Sequence, residues 1–326
     1  MKIFITGATG FIGHSLTMKL AERGDEVHAL VRNPESGNVP HHPNIRLHRG
    51  DIMDAPSITH AMKGCEQVFH TAASIKFWSK YPDDLFKPNV EGTVNVLDAA
   101  ARSGVSRFVF TSTCGVIGPG LGEPMTENDP RIIGYELDYE LSKKMGEDIA
   151  FQYAQKGMDI IVVSPSKVYG PGIVSHALTA NAVINKFLKK GIAITPYPNR
   201  YKSCFAFIED VVNGHMLAME KGKTGEKYIL GGINISNKEF FTRIQKVSSC
   251  KGLIIETRKN FIKGWAICQL LGQKISGRPP LFSCKSVDHL FKNYCFSSEK
   301  AIRELGYRIT PLDEALHQTI EYLKHQ

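Results

Sequence analysis

The chain has 326 residues, of which 42% are hydrophobic and 22% are charged, a balance typical of soluble globular proteins rather than disordered ones. No stretch reaches 18 consecutive apolar residues, which disfavours a membrane-spanning helix, and we expect the chain to be cytoplasmic. Seven scattered cysteines without a C-x-x-C pair argue against a disulfide framework or a zinc site, so we expect no metal.

The net charge of +8 is unevenly distributed. Residues 1–165 carry 16 Lys and Arg against 20 Asp and Glu, whereas residues 166–326 carry 24 against 12. A basic half of this kind favours an anionic substrate, a membrane surface or a nucleic acid, and the alternative is a solvated lysine-rich surface. The chain has no nucleic-acid-binding motif and no block of five like charges, so we expect no nucleic-acid partner.

Strands and helices alternate through the first half of the chain. Apolar, β-branched runs occur at 2–6, 26–31, 44–51, 67–73, 107–113 and 159–166, and helical periodicity occurs between them, notably at 11–24, 83–103 and 139–157. This alternation predicts an α/β fold of the Rossmann type, a doubly wound parallel sheet with right-handed crossovers.

The alternation ends after residue 165, at the turn-rich sequence VYGPG (168–172). Helical patterns follow at 178–190, 209–221, 236–249, 259–275, 297–305 and 311–324, with one further strand at EKYILGG (226–232). We therefore predict a nucleotide-binding domain at 1–165, to which residues 204–231 return. A smaller, mostly helical substrate-binding region is predicted at 166–326.

The first strand runs into TGATGFIG, which places glycines at 7, 10 and 13. A glycine-rich loop between a strand and a helix lets the backbone approach a pyrophosphate, which lies at the positive N-terminus of the helix. The G-x-x-G-x-x-G spacing differs from the G-x-G-x-x-G fingerprint of the ordinary dinucleotide fold. Its place between strand and helix nevertheless predicts a dinucleotide site rather than a turn without a ligand.

The end of the second strand indicates which dinucleotide binds. A carboxylate at this place would hold the ribose 2′-hydroxyl of NAD, but the sequence has Arg32 instead. A guanidinium fits a 2′-phosphate by charge and bidentate geometry, which favours NADP(H) over NAD(H); the alternative is an exposed loop arginine. Asp51, after the third strand, could accept a hydrogen bond from the adenine amino group.

Several motifs follow one another in a familiar order: TGATGFIG, GDIMD, VFHTAA, NVEGTVNVLDAA, RFVFTST, YELSK and VYGPG. In order and approximate spacing the chain resembles the extended short-chain dehydrogenase/reductase family over essentially its whole length. The sequences VFHTAASIKFW and KPNVEGTVNV are most similar to its dihydroflavonol-4-reductase and 3β-hydroxysteroid dehydrogenase branch.

The resemblance implies roles for the matching positions. Tyr139 resembles the catalytic acid/base of the family, Lys143 its partner, and Thr113 the hydroxyl that orients the carbonyl, where the family more often has Ser. The cofactor contacts that we expect lie in the phosphate loop, at the strand ends and at the nicotinamide end: Gly7, Thr9, Gly10, Phe11, Ile12, Gly13, Arg32, Asp51, Ile52, Thr71, Ala72, Ala73, Thr111, Tyr139, Lys143, Pro165 and Val168.

Tyr139 and Lys143 are four residues apart in DYELSKK (138–144) and therefore share one helix face. An ammonium about 4 Å from a phenolate, at an effective dielectric constant of about 20, is worth roughly 4 kcal/mol. We therefore expect Lys143 to lower the pKa of Tyr139 toward neutrality. Within TST (111–113), Thr111 and Ser112 remain alternatives to Thr113, while Lys144 is expected to face solvent.

These residues favour an NADP-dependent oxidoreductase that transfers a hydride between the nicotinamide and a ketone or aldehyde. The alternative is an NAD(P)-dependent nucleotide-sugar epimerase or dehydratase, many of which carry an arginine just before the segment equivalent to FAFIEDV. Ser203 aligns with that arginine here, with Arg200 and Lys202 close by. A non-catalytic NADP-binding protein is a third possibility, which the presence of both Tyr139 and Lys143 disfavours.

Two interaction surfaces follow from the pattern. Segment 260–280 has Phe261, Trp265, Cys268, Leu271 and Ile275 near helical spacing, which predicts either a weak membrane-surface contact or a helix packed over the substrate pocket. The family resemblance also implies a homodimer formed through helices 83–103 and 139–157. Residues 74–82, residues 114–125 and the C-terminal helices are expected to shape the pocket.

Overall fold

The computed structural model describes residues 1–75, 81–173, 180–276 and 284–325. Within these ranges there are twelve strands: β1 (Lys2–Thr6), β2 (Glu26–Val31), β3 (Ile45–Arg49), β4 (Gln67–His70), β5 (Arg107–Thr111), β6 (Ile160–Pro165), β7 (Lys167–Tyr169), β8 (Ile192–Pro196), β9 (Lys202–Phe207), β10 (Lys227–Leu230), β11 (Ile233–Ser236) and β12 (Leu253–Thr257).

Seven of the strands in the described ranges form one parallel sheet in the order β10-β6-β5-β4-β1-β2-β3. The chain order reverses between β1 and β4, which creates the crevice at which open α/β sheets bind their ligands. The predicted Rossmann-type sheet is therefore confirmed, and the loop after β1 lies at its switch point.

Helices lie on both faces of the sheet. Those in the described residues are α1 (Phe11–Glu22), α2 (Ala55–Met62), α3 (Asp83–Phe86), α4 (Gly92–Arg102), α5 (Asp138–Gln155), α6 (Ala180–Lys190), α7 (Ile208–Lys221), α8 (Asn237–Ser248), α9 (Lys259–Ser276), α10 (Cys284–Leu290), α11 (Glu299–Leu305) and α12 (Leu312–Lys324). A single π-helical turn, Lys87–Glu91, joins α3 to α4, so together they form the helix predicted over 83–103.

The sheet separates two apolar cores because successive side chains of a strand point to opposite faces. Along β1, Ile3 and Ile5 pack with α1 and α7, whereas Phe4 packs with α2, α4 and α5. All three side chains are fully buried. Burial on both faces explains why the inner strands read as continuous apolar runs, whereas β3, at the edge of the sheet, is only partly buried.

The second half of the chain is richer in strands than the sequence predicts. β10 pairs with β6 and completes the central sheet, while β11-β9-β7 and β12-β8 form two small sheets. The prediction of a single strand after residue 165 was wrong, and α10 was not predicted. These strands have three to six residues, too short for periodicity to separate from loop.

Helical segments nevertheless dominate this C-terminal half, as predicted. Residues 178–179 of the helix predicted at 178–190 lie outside the described residues, as do 76–80 of the expected pocket segment 74–82. The division into domains at residue 165 stays a prediction.

Candidate active site

The phosphate loop packs tightly against the segment that follows β4. Gly7 has a φ of +79°, and a Cβ built there would lie 2.6 Å from the backbone N of Ala72 and 2.7 Å from Oγ1 of Thr71. A Cβ on Gly13 would lie 2.1 Å from the carbonyl oxygen of Gly7. Since no other residue fits at Gly7 or Gly13, the strand, the loop and the helix must meet at glycines. Ala73 follows in the same segment.

Gly10 differs from the other two glycines because its Cβ would make one tight contact instead of overlapping with several atoms. It is the N-cap of α1, with a φ of −95°, and a Cβ there would approach only the Gly7 carbonyl oxygen, at 3.2 Å. No side chain caps the helix, whose first residues are Phe11 and Ile12, and Thr9 precedes the cap. A close backbone approach and uncapped N–H groups fit a dinucleotide pyrophosphate.

Arg32, Asp51 and Ile52 follow the ends of β2 and β3 on the same side of the switch point. Arg32 is exposed, directly after β2. The Asp51 carboxylate accepts a hydrogen bond of 2.9 Å from the backbone N of Met53, and Ile52 packs against Gly92 of α4. Arg32 is therefore accessible to a ligand, whereas Asp51 is partly engaged by its own turn.

The three hydroxyls of the TST sequence have three different partners. Thr111 contacts Nε2 of His215 at 3.0 Å in the core, and Ser112 donates to the buried carboxylate of Glu147 at 2.6 Å. The hydroxyl of Thr113 lies close enough to Tyr139 to lower the pKa of the phenol, and it accepts a hydrogen bond from the backbone N of Gly115 at 3.1 Å. Because the other two hydroxyls are engaged in the core, Thr113 is the one available at the sheet edge.

Tyr139 is held protonated rather than activated by the protein alone. Burial raises its pKa to about 12, and the Thr113 hydroxyl only partly opposes this shift. Lys143 does not contribute to the pKa of Tyr139, contrary to the expectation from their spacing.

Lys143 points instead toward the sheet. Its side chain is 2% exposed, and Nζ lies 4.4 Å from the centroid of the Phe110 ring. Burial lowers the pKa of Lys143 to about 8, and among the described residues no carboxylate forms an ion pair with it. Burial and the charge of Lys143 together lower the pKa of the neighbouring His70 to about 3, so this histidine stays neutral.

Asn89 is a site residue to which the sequence analysis gave no role. It is fully buried in the π-helical turn, and its amide exchanges hydrogen bonds of 2.7 and 3.0 Å with the backbone N and O of Ser74. It also donates to the hydroxyl of Ser142 at 2.9 Å. Asn89 thus joins the loop after β4 to the helix that carries Tyr139 and Lys143. The sequence signal that could have identified Asn89 was its place in the motif KPNVEGTVNV.

The other charged groups near Tyr139 are paired. Glu140 is buried against Arg131, with 2.7 Å between Oε2 of Glu140 and Nη2 of Arg131, and Arg131 also stacks over the Tyr135 ring. Lys144 pairs with Asp148 rather than with Glu140 because Glu140 is buried. This supports Lys143 rather than Lys144 as the inward-facing lysine.

Pro165 and Val168 lie at the same carboxyl edge of the sheet. Pro165 ends β6 and pairs with Leu230, and Val168 belongs to β7 and pairs with Ala206. The edge therefore brings together the ends of β1, β4, β5 and β6 with the start of α5. The arrangement offers an anion site, a buried lysine, a protonated phenol and a hydroxyl.

Comparison with known proteins gives one family and many relatives. Residues 3–231 match the model of the NAD dependent epimerase/dehydratase family. A putative dihydroflavonol 4-reductase of Synechocystis sp. is 31% identical, over 99% of this chain and 94% of that protein. A 3-beta-hydroxysteroid dehydrogenase of Mycolicibacterium neoaurum is 28% identical, over 98% of this chain and 91% of that protein. The structure of the UDP-glucose 4-epimerase of Thermotoga maritima superposes with a TM-score of 0.81 at 22% identity. The superposition covers 100% of this chain and 99% of the epimerase, which shows a shared fold.

Proposed function

Because the chain belongs to the NAD dependent epimerase/dehydratase family of extended short-chain dehydrogenases/reductases, we propose that it is an NADP-dependent carbonyl reductase. Its substrate in this proposal is a ketone or an aldehyde, and the reverse reaction oxidises the secondary or primary alcohol. The observation that carries the proposal is the proximity of Tyr139 and Thr113 at the sheet edge beside the phosphate loop, where Thr113 acts on the pKa of the phenol.

The residues at the edge fit a nicotinamide dinucleotide, which when bound supplies or accepts the hydride. The Gly10 backbone and the uncapped start of α1 would hold the pyrophosphate, and Arg32 would hold the 2′-phosphate. The ammonium of Lys143, which forms no ion pair within the described residues, would donate to the nicotinamide ribose hydroxyls.

Tyr139 acts as the proton donor in the direction of reduction. Its raised pKa keeps the phenol protonated throughout the neutral range, so the proton that the carbonyl oxygen needs is present before reaction. Thr113 accepts a hydrogen bond from the backbone N of Gly115, so its O–H acts as a donor, and a carbonyl oxygen that binds between Thr113 and Tyr139 would accept from this O–H in place of the phenol. Two donors on one oxygen stabilise the negative charge that develops there.

The proposal is tested with purified protein, NADPH and a panel of ketones, aldehydes and nucleotide-sugars. We expect carbonyl-dependent oxidation of NADPH. Turnover of a nucleotide-sugar without net oxidation of the cofactor would instead support the epimerase alternative, in which the hydride returns to the sugar.

The preference for NADP rests on Arg32. Losing a charge-assisted hydrogen bond to a phosphate costs about 1.5–3 kcal/mol, so Arg32→Gln should weaken NADPH binding roughly 10- to 150-fold and leave NADH binding unchanged. Arg46→Gln is the matched control because Arg46, in β3, pairs with Glu26 of β2, away from the carboxyl edge of the sheet. Tighter binding of NADH than NADPH by the wild type would refute the role of Arg32.

A weak membrane-surface contact through segment 260–280 is a further part of the proposal. Residues 277–280 lie outside the described residues, and within the described part of the chain no helix has the length and apolarity needed to cross a bilayer. One face of α9, with Ile262 and Ala266, packs against Val287 of α10. On the other face Phe261 is 73% exposed and Trp265 43%.

Sedimentation with vesicles that contain phosphatidylserine tests this contact. Exposed aromatic side chains beside lysines favour an anionic interface, so replacing both Phe261 and Trp265 by Ser should reduce the bound fraction. Ile302→Ser, on α11, is the control because that side chain is 46% exposed elsewhere on the chain. Equal binding by the double variant would exclude this surface.

A homodimer through α4 and α5 is the last part. Leu141 and Met145 of α5 are 37% and 40% exposed, respectively, although both are apolar. Light scattering should give twice the chain mass for the wild type and a smaller mass for the variant with Leu141→Glu and Met145→Glu. A monomeric wild type would refute the dimer.

A further inference from the structure

Lys167 is a cation beside the proposed active site that the chemistry above does not use. The backbone N of Ser112 donates to Val163 at 2.7 Å, so Thr113 and Pro165 reach the same carboxyl edge of neighbouring strands. Lys167 starts β7 two residues beyond Pro165 and directly precedes Val168, which we expect at the nicotinamide end. It therefore lies where a substrate would meet Thr113.

The ammonium of Lys167 has one hydrogen bond and one ring contact. Nζ donates to Oγ of Ser203 at 3.3 Å and lies 5.0 Å from the centroid of the Phe205 ring. Ser203 is the position that aligns with the phosphate-binding arginine of nucleotide-sugar enzymes. The cation at this place in the structure is Lys167, which comes from β7, whereas Ser203 belongs to β9.

Contacts on the opposite side link Lys167 to the catalytic helix. Burial lowers the pKa of His289, and the charge of Lys167 adds to this shift, so the two groups lie near each other. His289 in turn lies 3.7 Å from Oε1 of Glu140, the residue that follows Tyr139. Lys167 therefore lies near the start of α5, the helix that carries Tyr139.

In the part of the chain that the structure describes, no carboxylate is paired with Lys167. Among the described residues no Asp or Glu forms an ion pair with it, and Glu140 is already paired with Arg131. The ranges 76–80, 174–179 and 277–283 contain no Asp or Glu in the sequence. Burial lowers the pKa of Lys167 to about 8, so the amine is still largely protonated at neutral pH. A partly buried charge without a counter-charge is destabilising, and a ligand anion would remove this cost.

We propose that Lys167, together with Ser203, binds a carboxylate carried by the carbonyl substrate. An ammonium has three N–H donors, of which one is used on Ser203, and the hydroxyl hydrogen of Ser203 remains free. One lysine and one hydroxyl therefore match the single charge and two oxygens of a carboxylate. The substrates are accordingly oxo acids or formyl acids rather than neutral carbonyl compounds. This inference rests on the proposed reduction for its reaction, but not for its binding site.

Binding is tested without turnover, by fluorescence titration of the protein saturated with NADP⁺. The probes are 2-naphthoate and its neutral counterpart 2-naphthamide. We expect the wild type to bind the carboxylate at least about tenfold more tightly than the amide, as for a charge-assisted hydrogen bond, and Lys167→Met to lose this difference. Lys202→Met, an exposed lysine of β9, should keep it, as should Lys167→Arg. Equal affinity for the two probes in the wild type, or a difference that survives in Lys167→Met, would overturn the inference.

Turnover separates this inference from the proposed function. For 4-carboxybenzaldehyde, Lys167→Met should lower kcat/KM at least about tenfold. For methyl 4-formylbenzoate, the neutral ester, kcat/KM should not change. Equal losses on both aldehydes would mean that Lys167 supports the fold and does not recognise the carboxylate. Discrimination between the naphthyl probes without reduction of either aldehyde would refute the reduction and leave the carboxylate site in place.

Discussion

The open side of Gly10 gives the sharpest test of the phosphate loop. Its φ of −95° is one that alanine adopts, and a Cβ would meet only the Gly7 carbonyl oxygen, at 3.2 Å. Gly10→Ala should therefore cost no more than about 1 kcal/mol of folding stability, the usual effect of a poorer N-cap. The same methyl group would occupy the space in which a pyrophosphate approaches the helix, so NADPH affinity should fall at least about tenfold, or 1.4 kcal/mol.

Gly13→Ala should behave differently because its Cβ would lie 2.1 Å from the Gly7 carbonyl oxygen. Relief of that overlap requires the backbone to move, at a cost of about 1–3 kcal/mol or more. Urea denaturation measures the stabilities and fluorescence titration measures the NADPH affinities of both variants. Gly134→Ala is the control, since no atom lies within 4 Å of its Cβ position. Wild-type NADPH affinity in Gly10→Ala would refute the pyrophosphate site.

Three further predictions concern buried polar groups. Burial lowers the pKa of His215 to about 4, below its ordinary value of 6.5, so the unfolded state binds more protons in acid. The wild type should lose roughly 2 kcal/mol of stability through this group between pH 7.5 and 5, and His215→Gln should show a smaller loss in urea denaturation; equal losses would contradict this. The pKa of Lys143 is about 8, so NADPH affinity measured by fluorescence should weaken above pH 8 in the wild type but not in Lys143→Met. A wild-type NADPH affinity that does not change with pH would exclude the ribose contact. Asn89→Ala leaves the backbone of Ser74 without its partners and should cost about 1–3 kcal/mol in thermal unfolding, more than Asn95→Ala, which removes one bond to Ile52.

The Rossmann-type sheet could be predicted from the sequence because its inner strands are buried on both faces and therefore apolar, and because its loops carry glycines. It left the functional hydroxyl of TST open, since Thr111, Ser112 and Thr113 are chemically similar. Their roles are decided by His215 and Glu147, which are far away in the chain. Only the three-dimensional packing reveals which hydroxyls are already engaged.

The acid/base pair shows a second limit. Spacing places Tyr139 and Lys143 on one helix face, which is confirmed, but it does not fix where two long side chains end. The ammonium lies against the Phe110 ring, and burial rather than a nearby charge governs the pKa of the phenol. Short strands such as β8 and β12 escaped prediction because their pairing joins segments about sixty residues apart.

The most direct test of the central claim compares Tyr139→Phe with Tyr135→Phe in NADPH-dependent reduction of a carbonyl substrate. Tyr135 is the matched control because its ring packs under Arg131 and has no contact with Thr113 in the described structure. Loss of the proton donor should lower kcat about 10²- to 10⁴-fold, far more than it weakens NADPH binding, whereas Tyr135→Phe should keep its activity. Wild-type turnover by Tyr139→Phe would contradict the assignment of Tyr139 as the proton donor.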